Sequence, residues 1–252
     1  MNKKLQIIPV IVALLFSLFA ITGCSFIDKI TEDEDFGKKV EVDVTSDKTA
    51  KSTNELANLT YDGKNLSIRL NDNKVSDLNK RLDVDETFIN LSELDSLGRC
   101  GPAESVIGPE TLPTDKRGSI GSVKPSGWPT NGLKNNKYDF VDGKYLYNRC
   151  HLIAFSLSGI NADERNLITG TRTLNIAGMW EFEEDVLYYI KNTDHHVWYK
   201  VTPVFKDDEL VARGVQMQAK SLEDDNLEFN VYCFNVEPGV HIDYSNGENY
   251  EE

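Results

Sequence analysis

The sequence predicts an α+β domain with a central, mainly antiparallel sheet, and two stretches toward the C-terminus carry that expectation. Three apolar alternations follow one another at 196–205 (HVWYKVTPVF), 210–219 (LVARGVQMQA) and 227–236 (LEFNVYCFNV), joined by polar turns at Lys206-Asp207-Asp208 and at 222–226, as successive antiparallel strands are. Just before them Met179, Phe182, Val186, Tyr189 and Ile190 recur at helical spacing with acidic residues between, which predicts an amphipathic helix over 177–192.

The chain begins with a different kind of segment. Lys3 and Lys4 precede an apolar run over 5–21 broken only by Gln6, Pro9 and Ser17, and Ile21-Thr22-Gly23-Cys24 follows. That is the pattern of a secretory signal, and its end resembles the lipobox of bacterial lipoproteins. The resemblance implies a lipoprotein signal peptide over 1–23, lipidation at Cys24, and an extracytoplasmic bacterial domain anchored to the cell membrane by lipid or shed from it. An uncleaved membrane helix is the alternative, since about 17 to 20 apolar residues span a bilayer. Residues 24–55 are polar and charged and read as a flexible tether. One folded domain is expected over 56–245, followed by an acidic tail at 246–252.

Within the domain, 65–70 is strand-like, Phe88 and Ile89 begin a short strand in the alternation 86–91, and Ser92-Glu93-Leu94-Asp95 reads as a turn or cap. The 98–136 region is rich in Gly and Pro and is expected to be a long ordered loop or a series of turns. Loops of that length inside a compact domain are usually functional.

Composition, 40% hydrophobic and 27% charged, is that of an ordinary globular chain and excludes collagen-like and coiled-coil classes. Of four cysteines, lipidation of Cys24 leaves Cys100, Cys150 and Cys233, with no CxxC spacing. That argues against a disulfide framework and against a structural zinc site. The net charge of −14 argues against a nucleic-acid partner unless positive charge is gathered locally. It is: acidic residues crowd 32–47, 181–185, 223–228 and the tail, whereas 99–149 is net basic.

The chemistry gathers around Tyr147-Asn148-Arg149-Cys150-His151-Leu152-Ile153. An imidazole there stands near the Arg149 cation at the edge of a buried apolar stretch, where it can take a proton from water near neutral pH. Arg165, Asn166, Arg172, Asn175 and Glu183 follow. Asn175 sits where the helix begins; its amide oxygen suits a hard divalent cation that keeps most of its water, and a helix N-cap is its other reading. His195, His196 and His241 read as surface or strand-end residues, and Trp128, beside Lys124 in the Gly/Pro loop, as the tryptophan best placed to touch substrate. No G-x-S-x-G elbow supports serine chemistry.

Together, Asn148-Arg149-Cys150-His151, KRGSIGSVKPSGW before it, and NLITGTRTLN and FNVEPGVHIDY after it resemble the DNA/RNA non-specific endonucleases of the ββα-metal (His-Me finger) class, particularly streptococcal secreted DNases. The likeness covers roughly 97–243. The family's signature is Asp-Arg-Gly-His, so Asn148 and Cys150 depart from it while Arg149 and His151 are kept. The resemblance implies a ββα-metal nuclease fold and metal-dependent, sequence-independent hydrolysis of DNA, and of RNA as well, to 5′-phosphate products. It implies His151 as general base, Asn175 as ligand of one Mg2+ (Mn2+ the alternative ion), Glu183 as a supporting carboxylate, and Arg149 and Arg172 as catalytic clamps on phosphate. Asn148, Asn166, Arg117 and Trp128 are the expected substrate contacts, and no protein partner is implied. Two other readings compete: a surface lipoprotein that binds nucleic acid without cutting it, as for DNA uptake, and one that binds a different ligand altogether.

Overall fold

The structure, a computed structural model, describes residues 46–47, 52–78, 86–129 and 135–252. The expected signal peptide, the lipid-bearing Cys24 and nearly all of the expected tether lie outside the described residues. Along the chain run β1 (Ser46–Asp47), α1 (Thr53–Leu56), β2 (Ser67–Leu70), β3 (Phe88–Leu91), β4 (Ala103–Ile107), β5 (Tyr147–His151), α2 (Phe155–Ser158), β6 (Leu167–Thr171), α3 (Trp180–Thr193), β7 (Val197–Val204), β8 (Gly214–Ser221), β9 (Glu228–Phe234), β10 (Val240–Ile242) and β11 (Asn249–Glu251). A π-helical stretch, Leu174–Met179, leads into α3.

The α+β expectation holds. Seven strands form one sheet in the order β1-β2-β9-β8-β7-β4-β3, antiparallel at every junction except the short parallel β1–β2 pair. Alternation gives each strand two faces. Tyr199 and Val201, Val215 and Met217, Val231 and Cys233, with Ala103 and Ile107, make one continuous apolar face. The other face is more polar and is bridged by the segment before β3: Ser76 donates to the Gln218 side-chain oxygen, Asn230 donates to the Lys74 carbonyl, and Lys200 pairs with Asp77.

A separate unit packs on the apolar face. β5 and β6 form an antiparallel hairpin, followed by the Leu174–Thr193 helical stretch. Cys150, Leu152, Ile153, Leu157, Ile168, Leu174, Met179, Val186 and Ile190 from this ββα unit are buried against the sheet residues above. The active segment therefore lies on the sheet as its own hairpin rather than crossing it. At about 25 cal/mol per Å² of apolar surface removed from water, this face-to-face burial is the main force holding the unit in place.

Several boundaries differ from the expectation, each for a local reason. The folded part already includes α1, because Ser52 and Glu55 form a capping box: the Ser52 hydroxyl accepts from the Glu55 amide at 3.4 Å and the Glu55 carboxylate accepts from the Ser52 amide at 2.7 Å. The 98–136 stretch is not all loop; β4 inserts between β3 and β7, its short AESVI run having been hidden by the flanking Gly and Pro. The acidic tail ends in β11, paired with β10, with Tyr250 stacked on His241. The second alternation begins its strand only at Gly214. Cys100, Cys150 and Cys233 are free and buried.

His196, at the head of β7, shows what spacing cannot reveal. Its Nδ1 lies 2.6 Å from the Glu223 carboxylate and its Nε2 3.2 Å from that of Glu110. Burial alone would lower the pKa of this imidazole, but the two carboxylates outweigh it and raise it. A raised folded-state pKa stabilises the fold below the ordinary imidazole range and loses that contribution as pH rises through the raised value. His196→Gln should therefore lower stability by about 0.5–1 kcal/mol at pH 5.5 and by less at pH 9. Urea midpoints at the two pH values check this, and an equal loss at both would show that the charge is not what matters.

Candidate active site

β5 sets out the site through its pleat. Cys150 points into the core, so Arg149 and His151, of opposite parity, share the outer side. Cys150 has an ordinary backbone conformation. Its thiol fits because Gly170 of β6, the diagonal neighbour paired with Asn148, has no side chain; a Cβ there would collide with the Cys150 Sγ. Burial pushes this thiol's pKa well above its usual range, so it is an inert packing group.

His151, 7% exposed, ends the strand. Its Nε2 lies 2.8 Å from the backbone carbonyl of Asn161, which can only accept, so Nε2 carries the proton and Nδ1 is left with its lone pair. The Arg117 guanidinium stands 3.5 Å from Nδ1. Burial lowers the imidazole's pKa, Arg117 lowers it further, and the Asn161 carbonyl partly opposes them. The ring is therefore neutral near pH 7, with Nδ1 its unprotonated nitrogen.

Asn175 lies inside the π-helical stretch Leu174–Met179, not at its cap. The capping is done by others: the Thr171 hydroxyl accepts from the Leu174 amide at 2.9 Å, and the Glu237 carboxylate accepts from the Thr173 amide at 3.0 Å and hydroxyl at 2.7 Å. Half-buried Asn175 makes no side-chain hydrogen bond to a described residue, and π-helical turns recur at functional sites. Glu183 stands apart from its acidic neighbours: Glu181, Glu184 and Asp185 are exposed and Glu183 is half-buried. Burial pushes its pKa up to about 8, Glu184 adds to the rise, and Arg117 opposes it. Arg117 thus acts electrostatically on both His151 and Glu183. Among the described residues no group of three His, Cys, Asp or Glu side chains is arranged to hold a metal. The donor set Asn175 plus Glu183 fits a hard cation that keeps most of its water, not a zinc cage.

The other expected site residues divide sharply. Arg149 does not stand over His151: its Nε donates to the Val123 carbonyl at 2.6 Å, an NH2 group donates to the Gly121 carbonyl at 3.0 Å, and its guanidinium lies 3.9 Å from the Trp128 ring centroid. It fastens the Gly/Pro loop and covers one face of Trp128, which limits that ring as a substrate platform. Arg172 is paired with Asp142 at 2.6 Å and lies 3.4 Å from the Asn148 oxygen. Arg117 is exposed and makes no ion pair with a described residue. Asn166 is a correction: expected to touch substrate, it is fully buried, its amide oxygen accepting from the Ile153 amide and its amide nitrogen donating to the Ile153 carbonyl, both at 2.9 Å. It clamps the turn after His151. Asn161 was not singled out from the sequence, because its role is played by a backbone carbonyl and leaves no trace in residue type.

A sequence model described as DNA/RNA non-specific endonuclease matches residues 79–223, more than half of the chain. The chain belongs to that family. A Deoxyribonuclease of Streptococcus dysgalactiae subsp. equisimilis is 37% identical over 120 residues, 46% of this chain and 35% of that protein, so the chain spans about a third of the relative's length. Among solved structures, NucA from Streptococcus agalactiae with magnesium ion bound aligns with a TM-score of 0.63 and 25% identity over 73% of this chain and 86% of that one. Sda1 nuclease with bound zinc ion aligns with a TM-score of 0.58 and 34% identity over 66% of this chain and 81% of that one. Within this family the β5–β6 hairpin and the following helix are the ββα unit, and both named structures carry a divalent ion.

The correction at Asn166 is testable. Asn166→Ala leaves the buried Ile153 amide and carbonyl unpaired, which costs about 2–4 kcal/mol. Urea denaturation should show that loss; unchanged stability with a selective loss of substrate affinity would restore the substrate-contact role.

Proposed function

We propose that the chain is a metal-dependent, sequence-independent endonuclease that hydrolyses phosphodiester bonds of DNA, and of RNA as well, leaving 5′-phosphate ends. The observation that carries this reading is the His151 ring: its Nε2 is committed to the Asn161 carbonyl, and its unprotonated Nδ1 meets only the long 3.5 Å contact from the Arg117 guanidinium. A neutral imidazole with one fixed tautomer is what a general base for water requires.

In this mechanism Nδ1 of His151 takes a proton from water, the resulting hydroxide attacks phosphorus in line with the P–O3′ bond as that bond breaks, and the departing 3′-oxygen takes a proton from solvent. Arg117 holds a non-bridging oxygen of the same phosphate, because its guanidinium is the one near Nδ1 and is not tied up in an ion pair with a described residue. The imidazolium formed beside that guanidinium is held in place by the Asn161 carbonyl and repelled by Arg117, so it readily gives its proton up again. Asn175, supported by Glu183, would hold one divalent ion, magnesium or manganese, which when bound neutralises charge on the phosphate and the leaving oxygen. Arg172, tied to Asp142, and Arg149, tied to the Gly/Pro loop, support the site rather than clamp phosphate. Among the described residues no element is placed to read base edges, so affinity should come from the backbone and fall steeply with salt. The N-terminal pattern supports an extracytoplasmic location, with a lipid on Cys24 as the anchor.

Supercoiled plasmid should be nicked by the 25–252 protein with magnesium and left intact with EDTA. His151→Ala and Asn175→Ala should each reduce the rate at least about 100-fold. The base must be unprotonated, so the rate falls as pH drops through the His151 pKa. Because that pKa is lowered, the acid limb should lie below about 6.5 and move upward in Arg117→Ala. Wild-type protein that binds plasmid but cleaves neither DNA nor RNA under several metals and pH values would instead make it a binding lipoprotein.

A further inference from the structure

We propose that the Asn161 side chain is a latch that holds Arg117 against His151. The latch rests on the nuclease reading only for its consequence in catalysis; its geometry stands without it. Asn161 faces both halves of the site. Its backbone carbonyl accepts from His151 Nε2 at 2.8 Å, and its side-chain Nδ2 donates to the carbonyl of Ser119, two residues beyond Arg117, at 3.3 Å. Its Oδ1 is buried and has no hydrogen-bond partner. An unpaired buried acceptor is costly and uncommon in folded proteins, and here it accompanies the one orientation that lets the amide nitrogen reach Ser119.

The loop around Arg117 has few other fastenings. From 112 to 120, among the described residues, the side-chain hydrogen bonds that reach outside the stretch are Asn161 to Ser119, the Arg117–His151 contact itself, and one local bond in which the Gly121 amide donates to the Ser119 hydroxyl at 3.3 Å. Beyond it the chain is secured independently: Arg149 holds the carbonyls of Gly121 and Val123, and Thr169 donates to the Ser126 carbonyl at 2.8 Å. Losing the Asn161 amide would therefore free the part that carries Arg117 and leave the rest in place.

Gly118 supplies the second line of argument. A Cβ built there would meet Asn161 Nδ2 at 2.9 Å. Gly118 is not among the glycines with positive φ, so its backbone does not require glycine. Glycine at 118 instead leaves room for the Asn161 amide, and a methyl group there would push that amide off the Ser119 carbonyl without altering Asn161.

Asn161 is thus a positioning residue, and the full chain tests it in two independent ways. NMR titration of His151 needs no activity. In Arg117→Ala the imidazole pKa should rise, because a neighbouring positive charge is lost. Asn161→Ala keeps the backbone carbonyl and should raise the pKa in the same direction, Gly118→Ala should do likewise, and Asn161→Ala added to Arg117→Ala should change nothing more. With plasmid as substrate, Asn161→Ala and Gly118→Ala should each lower kcat/KM about tenfold or more, and the Asn161→Ala loss should vanish in the Arg117→Ala background, with thermal midpoints close to wild type. A His151 pKa unmoved in both Asn161→Ala and Gly118→Ala, or losses that add to that of Arg117→Ala, would overturn the latch. If Asn161→Ala folds poorly, Gly118→Ala decides alone. A wild-type protein without cleavage would remove the nuclease reading while the titration still judged the latch.

Discussion

The hydrogen bond from His151 Nε2 to the Asn161 carbonyl is the interaction on which the site depends. A free histidine distributes its proton between two nitrogens and turns about its side-chain bonds. Here one 2.8 Å bond fixes both the tautomer and the ring plane. The bond requires the chain to leave β5, run through α2, and return beside its own strand end within ten residues. Asn166 makes that return possible by satisfying both backbone groups of Ile153 in a turn too tight for regular structure. The Leu152 amide completes it by donating to the Asn166 carbonyl at 2.9 Å. A buried asparagine that touches no reactant is therefore as necessary to the geometry as the histidine it supports.

The same logic of remote support applies to Asn175. No side chain at its N-cap position closes its helix, and the first amides are satisfied instead by the Thr171 hydroxyl and by Glu237, which arrives from beyond β9. The sheet below sets the depth: Cys233 Sγ lies 3.3 Å from the Gly178 carbonyl, and Met179 is buried in the common core. Helix, hairpin and sheet thus lock one another through packing, and Asn175 lies in a π-helical turn whose wider pitch interrupts the regular hydrogen-bond ladder. Rigid elements of this kind hold a ligand more precisely than a loop does.

Residue pattern made the large features legible. The period-2 runs that became β7, β8 and β9 and the helical spacing that became α3 bury their apolar residues as the alternation required. β4 was not legible, since five residues between Gly101-Pro102 and Gly108-Pro109 carry too short an alternation to outweigh four turn-forming neighbours. In the site, the sequence named His151, Asn175, Glu183 and Arg117, whose residue types suit the chemistry. It misjudged Asn166 and assigned the nearby cation to Arg149. Both errors have one cause: adjacency in sequence says nothing about which way a side chain is turned, and the partners that decide it, Ile153 for Asn166 and the carbonyls of Gly121 and Val123 for Arg149, are loop backbone atoms. Asn161 was invisible because its backbone acts on His151 and any residue has a carbonyl.

The distribution of arginines also answers the objection raised by a net charge of −14. A buried or half-buried guanidinium is stable when its donors are paired, and several of the arginines are used this way: Arg165 on Asp163 and Glu93, Arg172 on Asp142, Arg213 on Glu209, and Arg149 on loop carbonyls. Those charges are neutralised locally or bound to backbone, so they add little to the field outside. Arg117 differs in being exposed, without an ion pair to a described residue, and beside the unprotonated nitrogen of His151. At about 4 Å and an effective dielectric near 20 a single charge acts with about 4 kcal/mol, so one uncommitted guanidinium outweighs many distant carboxylates at the place where a phosphate would sit. Net charge governs how fast a polyanion approaches and how readily it leaves; a single unpaired cation governs where it is held.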